Sequence, residues 1–386
     1  MQEIDVVRQT KIFLQRHGLL GKQITDLYTD AHPSLLIDAK LEPFQRFTLQ
    51  FDSFAIHPDL VGRLDDGGTT FAVEAKGADD WLKGIAQADT YRQGFHASLI
   101  AVAGTPSGDM MSFARQRGIG IIAVGSQGAE VLERPPVHLP QLYLAESVRR
   151  QFSASNTLLR QFYYNFPTHY LGCAACLRIW EQRLGTSIAL IQELEPFVQI
   201  LYPAIPRDFR PALRGAEKLG LVHVRGNAVE LTHLGRTCVE LLPPPQELDA
   251  LHTQAMKQPL AEISPQTGAV LRILLDREPI AKFIIEMLAR VGRHQPIPMP
   301  ALVEHASRID KTLTPVVFFF PKAIDGLTND QGFIVWRNVQ AHHYRTTIYM
   351  QYKRILTHAG LIKDHGLAGT SSKHYNPEKD MWELIV

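Results

Sequence analysis

Residues 57–77 read HPDLVGRLDDGGTTFAVEAKG and bring two carboxylates and an ammonium group within a short stretch of chain. Asp59 stands near a strand end. Beyond one turn, a second strand carries Glu74 and Lys76, two residues apart and so on one face. Carboxylates from neighbouring strands are hard oxygen donors that can hold Mg²⁺ while leaving positions for water, as metal-assisted phosphodiester hydrolysis requires. A lysine beside them can orient or help to deprotonate the attacking water and offset phosphate charge. Taken alone, Glu74 and Lys76 would read as ordinary surface charge, so their meaning depends on the elements around them.

Those elements follow from hydrophobic spacing. Residues 4–17 are amphipathic and end near Gly18, predicting a helix. Residues 44–56 alternate and are aromatic-rich, and residues 69–75 are β-branched and apolar, predicting two strands with the Asp65-Asp66-Gly67-Gly68 turn between them. A helix over 81–94, a buried strand over 97–103, a helix over 109–117 and a buried strand over 118–124 complete an α-β-β-α-β-α-β order. This is an α/β fold, a mixed sheet flanked by helices. Asp65, Asp66, Asp79 and Asp80 are expected to serve turns and caps rather than a metal.

With this context, Pro58-Asp59 followed by Glu74-Ala75-Lys76 resembles the PD-(D/E)xK nuclease motif, and Gln87-Ala-Asp-Thr-Tyr91 on the next helix resembles the QxxxY motif found in several branches of that family. Gln87 and Tyr91 are four apart and share a helix face. The resemblance covers roughly residues 1–130 and implies a restriction-endonuclease-like core. It implies that Asp59 and Glu74 are metal ligands, that Ala75 supplies a carbonyl ligand, and that Lys76 is the catalytic lysine, with Gln87 and Tyr91 supporting the site. It implies Mg²⁺ as cofactor. A first-helix acidic residue often completes such sites, and Glu3 and Asp5 are both candidates.

Prolines 135, 136 and 140 mark a boundary near residue 140. Residues 142–185 then read as helical, and residues 193–242 as short helices followed by a β-pair around Gly226-Asn227, which is how a winged helix reads. A Pro243-Pro244-Pro245 linker precedes a second, similar arrangement ending in helix 345–358 and strands near 361–362 and 381–384. Helices near 280–291 and 299–306 would complete it, although 327–335 fits poorly inside it. The expected domains are a nuclease domain over 1–140, a helical linker with a first winged-helix-like domain over 141–245, and a second over 246–386. Helix 345–358 is expected to expose Arg345, Thr347, Tyr349, Gln351, Lys353 and Arg354 to DNA phosphates and base edges, and Arg207, Arg210 and Arg214 to do the same in the first unit.

Composition supports folded domains. Of 386 residues, 45% are hydrophobic and 20% charged, which excludes a disordered or collagen-like chain. Residues 1–140 carry 13 Lys and Arg against 17 Asp and Glu, and the rest carry 27 against 22, an acidic front before a basic back. No apolar run is long enough to span a membrane and the N-terminus does not read as a signal peptide, so a cytoplasmic location is expected. Cys173, Cys176 and Cys238 read as core thiols, and His342-His343 as a loop pair. Neither a phosphate-binding P-loop nor a glycine-rich methyltransferase motif is visible.

These features together predict a Mg²⁺-dependent, sequence-specific type II restriction endonuclease. It would act on double-stranded DNA as a homodimer, with a cognate methyltransferase possible at the same site. The alternatives are a nuclease of transposition, repair or defence, a winged-helix regulator with an inactive nuclease fold, and a plain interaction scaffold.

Overall fold

The computed structural model describes the chain except residues 67, 78–79, 160–161, 163–165, 364, 366–374 and 386, and except the side chains of 156–159 and 349. It divides into two compact units, one formed by residues 1–155 with 309–343 and the other by 156–308 with 344–386. Residues 309–343, which sequence placed in the C-terminal domain, therefore group with the N-terminal unit. Hydrogen bonds and ion pairs hold them there, including Arg150 to Asp310 and the Ala55 N–H to the Asp330 carbonyl.

The first unit opens with α1 (Glu3–His17), whose buried positions Val6, Val7, Thr10, Lys11 and Leu14 recur at helical spacing. Gly18 ends it at φ 70°, where a Cβ would lie 2.1 Å from the Lys22 carbonyl oxygen, so only glycine fits. Six strands follow: β1 (Ile24–Thr29), β2 (Leu60–Leu64), β3 (Thr70–Lys76), β4 (Ala97–Ala103), β5 (Gly120–Gly125) and β6 (Gly128–Glu133). They lie side by side in that order. Pairings β3–β4 and β4–β5 are parallel and the other three antiparallel, so the sheet is mixed.

Helices cover both faces. On one, α1 packs Val6, Val7 and Leu14 into a cluster with Leu60, Phe71, Val73, Leu99 and Ile122. On the other, α2 (Trp81–Tyr91) and α3 (Gly108–Gln116) bring Ile85, Ala88, Met110 and Ala114 against Ile100 and Ile121. Each fully buried Val, Leu, Ile, Phe or Met side chain contributes roughly 1.5–3 kcal/mol relative to exposure. The first part of α4 (Leu142–Leu159) adds Leu144, Val148 and Phe152 to a cluster with Tyr28, Phe47 and Tyr91.

The sheet corrects one expectation. Residues 44–56 form no strand of it; they carry only the two-residue strands Leu49–Gln50 and Ala55–Ile56, paired with each other. Their aromatic alternation is spent on packing, with Phe47 against Phe152 at 4.7 Å between ring centroids. The backbone is held by a side chain instead of a ladder: Gln151 accepts from the Thr48 N–H at 2.8 Å and donates to the Thr48 carbonyl at 2.9 Å. The hairpin partner of β3 is β2. In the turn between them, Asp66 accepts from the Gly68 and Thr69 N–H groups, as expected of a turn residue. Asp80 occupies the N-cap position of α2 in a left-handed conformation, without a side-chain cap bond, and Asp79 lies outside the described residues.

In the second unit, α5 (Thr168–Leu184), β7 (Ile188–Leu190), α6 (Ile191–Leu201), α7 (Arg210–Lys218), β8 (Val222–Arg225) and β9 (Ala228–Leu231) follow one another, the strands forming a sheet in the order β8-β9-β7. Farther on, α8 (Pro279–Val291), β10 (Ile297–Pro298) and α9 (Met299–Ile309) repeat helix, strand and helix. After residues 309–343 the chain resumes with a π-helical turn at Ile348–Lys353, α10 (Arg354–His358) and β11 (Met381–Trp382), which pairs with β10. All three cysteines are buried and free, as expected of core thiols. Among the described residues no helix is long and apolar enough to cross a membrane.

Candidate active site

The hairpin register places the chemistry. Leu60 of β2 pairs with Val73 of β3, so one residue further the antiparallel register sets Asp59 opposite Glu74. Strand alternation turns Phe71, Val73 and Ala75 toward the α1 side and Ala72, Glu74 and Lys76 the other way. Asp59 is fixed at both ends: its Oδ2 accepts from the Ala75 N–H at 2.7 Å, and its carbonyl accepts from the Asp30 N–H at 2.9 Å. Lys76 Nζ donates to Glu74 Oε1 at 2.5 Å. From α2, the buried Tyr91 hydroxyl donates to the other Glu74 oxygen and lies 3.0 Å from the His57 carbonyl.

Asp59, Glu74, Lys76 and Gln87 open on one cavity of about 490 Å³ within the first unit. Glu3 lines it too, while Asp5 is paired with Arg8 at 2.8 Å, so the first-helix carboxylate that reaches the site is Glu3. The Gln87 Oε1 is buried and has no hydrogen-bond partner among the described residues. Tyr91 stands one turn away on the same helix, behind Glu74.

The electrostatics are those of charge held out of water. Burial, then the charge of Glu74, push the Asp59 carboxyl well above its usual range, against the pull of the Ala75 N–H and Lys76. Burial raises Glu74 as well, although Lys76 and Tyr91 stabilise its anion. For Lys76, burial opposes the charge, but Glu74 beside it wins and raises the ammonium above its ordinary value. Burial, then Glu74, hold the Tyr91 phenol well above its own, so it stays a donor.

The rest of the cavity lining was not anticipated. Asp30, Arg46, His57, Asp325, Asn329 and Asp330 line it. Arg46 donates from Nε and Nη2 to the two oxygens of Asp30, both at 2.9 Å, and from Nη1 to Asp325. Asp325 lies in the helix Pro321–Leu327, some 250 residues of chain after Glu74. No local pattern joins positions so far apart, so sequence carried no signal for this wall.

The basic residues expected to meet DNA divide. Arg207, Arg210 and Arg214 are exposed at and before α7, with Arg210 and Arg214 four apart on one face. Arg345 and Lys353 are buried, which corrects their expected exposure; Lys353 is ion-paired with Asp380 at 2.7 Å. The π-helical winding of Ile348–Lys353 shifts the face that an α-helical count assigns, and Asp380 supplies a buried counter-charge. Thr347 and Gln351 are half-buried, and the Tyr349 side chain lies outside the described ones. Arg354 lies over the Phe166 ring at 5.3 Å and lines a separate cavity of about 660 Å³ with Lys257, Arg272 and Lys363.

A scan against protein-family models, a search of curated proteins and a search of solved structures each return no match.

Proposed function

We propose that the chain is a Mg²⁺-dependent deoxyribonuclease of the PD-(D/E)xK kind that hydrolyses phosphodiester bonds in double-stranded DNA. The observation that carries this is the convergence of Asp59, Glu74, Lys76 and Gln87 on one cavity, with Tyr91 bonded to Glu74 behind it.

Among the described residues no group of three or more His, Cys, Asp or Glu side chains is drawn together to cage a metal. Magnesium does not need one, because it is commonly held by one or two carboxylates with water and substrate phosphate completing its octahedron. Asp59 and Glu74 fit that donor set, with the Ala75 carbonyl as the further oxygen that the family resemblance implies. Bound there, Mg²⁺ would polarise a phosphoryl oxygen and make bound water more acidic. The residues supply the rest. Lys76 orients water and offsets developing charge, Tyr91 fixes the Glu74 carboxylate, and Gln87 offers an unengaged acceptor to a water.

Recognition falls to the second unit. The order helix, strand, helix, helix, hairpin, with β7 closing the sheet beside β9, supports reading α5 to β9 as a winged helix. The exposed Arg207, Arg210 and Arg214 make the α7 end its DNA-facing part. From α8 to β11 the order is helix, strand, helix, helix, strand, with β11 paired to β10, and this partial likeness supports a second winged helix interrupted by residues 309–343. A type II restriction endonuclease remains the most specific form of this proposal, acting as a homodimer so that two sites meet two strands.

Incubation of the purified protein with plasmid DNA, in Mg²⁺ or chelator, tests it. Discrete fragments from the wild type in Mg²⁺, absent with Lys76→Met, support a sequence-specific endonuclease; a smear supports a general one. Intact DNA in every condition, with and without Mn²⁺, on methylated and unmethylated substrate, rejects the proposal.

A further inference from the structure

Arg46 is built for an anion, and residues 309–343 provide one. Its side chain is only 5% exposed, and Asp30, equally buried, holds two of its guanidinium nitrogens and so aims the third. That third nitrogen, Nη1, meets Asp325, whose side chain is 33% exposed. One carboxylate is thus a permanent partner in the core, and the other is a wetter one brought in by a distant segment.

Without bound metal the cavity is otherwise hostile to a phosphate. Glu3, Asp30, Asp59, Glu74, Asp325 and Asp330 line it, against Lys76 and Arg46. Lys76 is committed to Glu74. An entering phosphodiester oxygen that meets Arg46 Nη1 along its present contact therefore has to take the place of Asp325. Exchange there keeps the same kind of bond, because a guanidinium N–H donates to a carboxylate or a phosphate oxygen alike, while Asp30 keeps Arg46 compensated throughout.

We propose that Arg46 is a phosphate-positioning residue of this site and that Asp325 occupies its Nη1 until a substrate phosphodiester oxygen replaces it. This rests on the nuclease proposal for the same cavity. Asp325 acts as a built-in competitor with DNA phosphate, and the segment 309–343 sets how readily substrate enters.

The test is duplex binding by fluorescence anisotropy across a salt series, in Ca²⁺ so that nothing is cut, with wild type, Asp325→Asn, Asp330→Asn and the double variant Asp325→Asn/Arg46→Lys. Asp325→Asn is expected to bind several-fold tighter, with a log–log salt slope steeper by about one, the increment for one more phosphate contact. In cleavage it lowers KM more than it changes kcat. Asp330→Asn removes the same charge from the same cavity without touching Arg46 and is expected to gain less. The double variant loses the gain, and if it does not fold, the comparison of the two single variants still decides. Equal gains from Asp325→Asn and Asp330→Asn, or none from either, overturn the proposal. The two proposals fail separately: a wild type that cuts while Asp325→Asn binds no tighter rejects only the Arg46 role. A wild type that never cuts, with Asp325→Asn alone binding tighter, rejects only the nuclease.

Discussion

Two buried lysine–carboxylate ion pairs among the described residues, Lys76–Glu74 and Lys353–Asp380, sit in opposite surroundings. Lys76 and Glu74, 12% and 3% exposed, open on a cavity shared with a second carboxylate, Asp59. Lys353 and Asp380, 5% and 0% exposed, are sealed: Asp380 also accepts from the Tyr375 hydroxyl at 2.8 Å, and Lys353 lies over the Trp382 ring at 5.6 Å. Around the first pair, burial first and, for Asp59, the charge of Glu74 next push the two cavity carboxyls upward, against the pull of Lys76. The second neutralises itself. Excess buried charge facing a cavity is a mark of chemistry, and a closed pair is a mark of architecture.

Substituting each lysine by methionine separates the two. Lys76→Met is expected to reduce cleavage by at least about 100-fold, the scale of losing one group that positions a proton or stabilises charge, while duplex affinity in Ca²⁺ stays close to wild type and stability falls by less than in Lys353→Met. Rate, anisotropy and melting on the same preparation check it. If binding and folding fall together with rate, Lys76 belongs with Lys353. For Lys353→Met the expectation reverses: Asp380 is left buried without its cation, at a cost of roughly 3–5 kcal/mol in urea unfolding. A shift under 1 kcal/mol would show the second pair to be less closed than it is drawn.

The difference between the pairs was only half legible. Helix α1, strand β4 and the hairpin motif could be read from spacing, because each is local: apolar residues at helical period before Gly18, an unbroken apolar run, and a turn rich in Asp and Gly. Asp59, Glu74, Lys76, Gln87 and Tyr91 meet because a two-strand register and one helix face bring them together, and both are short-range features. Lys353 was placed outside for want of a long-range fact, since its partner Asp380 lies 27 residues on and Lys353 itself ends a π-helical turn. The strand expected over 44–56 fell for a similar reason. Alternation alone does not distinguish a ladder from a loop pinned by Gln151, 103 residues away. The Arg46–Asp325 wall lies farther still beyond any local pattern.

The two buried cavity carboxyls, Asp59 and Glu74, carry a pH signature in metal-free protein. Asp59 and Glu74 both titrate above their ordinary values of 3.8 and 4.5 in the folded state, so over the interval from those values upward the folded chain holds more protons than the unfolded one. Stability from this pair is therefore full at low pH and is lost as pH rises through the folded values, at about 1.4 kcal/mol per pKa unit. Glu74→Gln removes one of the two charges. In chelator it is expected to raise the melting temperature at pH 8 more than at pH 5, although it ends cleavage. An equal change at both values would mean that the pair is not charge-frustrated.

The smallest effects are expected where charge faces water. Arg210 and Arg214 are exposed on α7, so Arg210→Ala or Arg214→Ala is expected to move unfolding free energy by no more than about 0.5 kcal/mol. Either change is expected to lower the salt slope of DNA binding by about one if its arginine meets a phosphate. Lys353→Met supplies the contrast, since its large loss of stability comes with no change of slope while the protein remains folded. A slope that falls for Lys353→Met but not for the α7 arginines would move the DNA-facing surface from the first set of helices and hairpin to the second. The buried Lys353–Asp380 pair would then have to open on binding, exposing a charge that the folded protein has every electrostatic reason to keep inside.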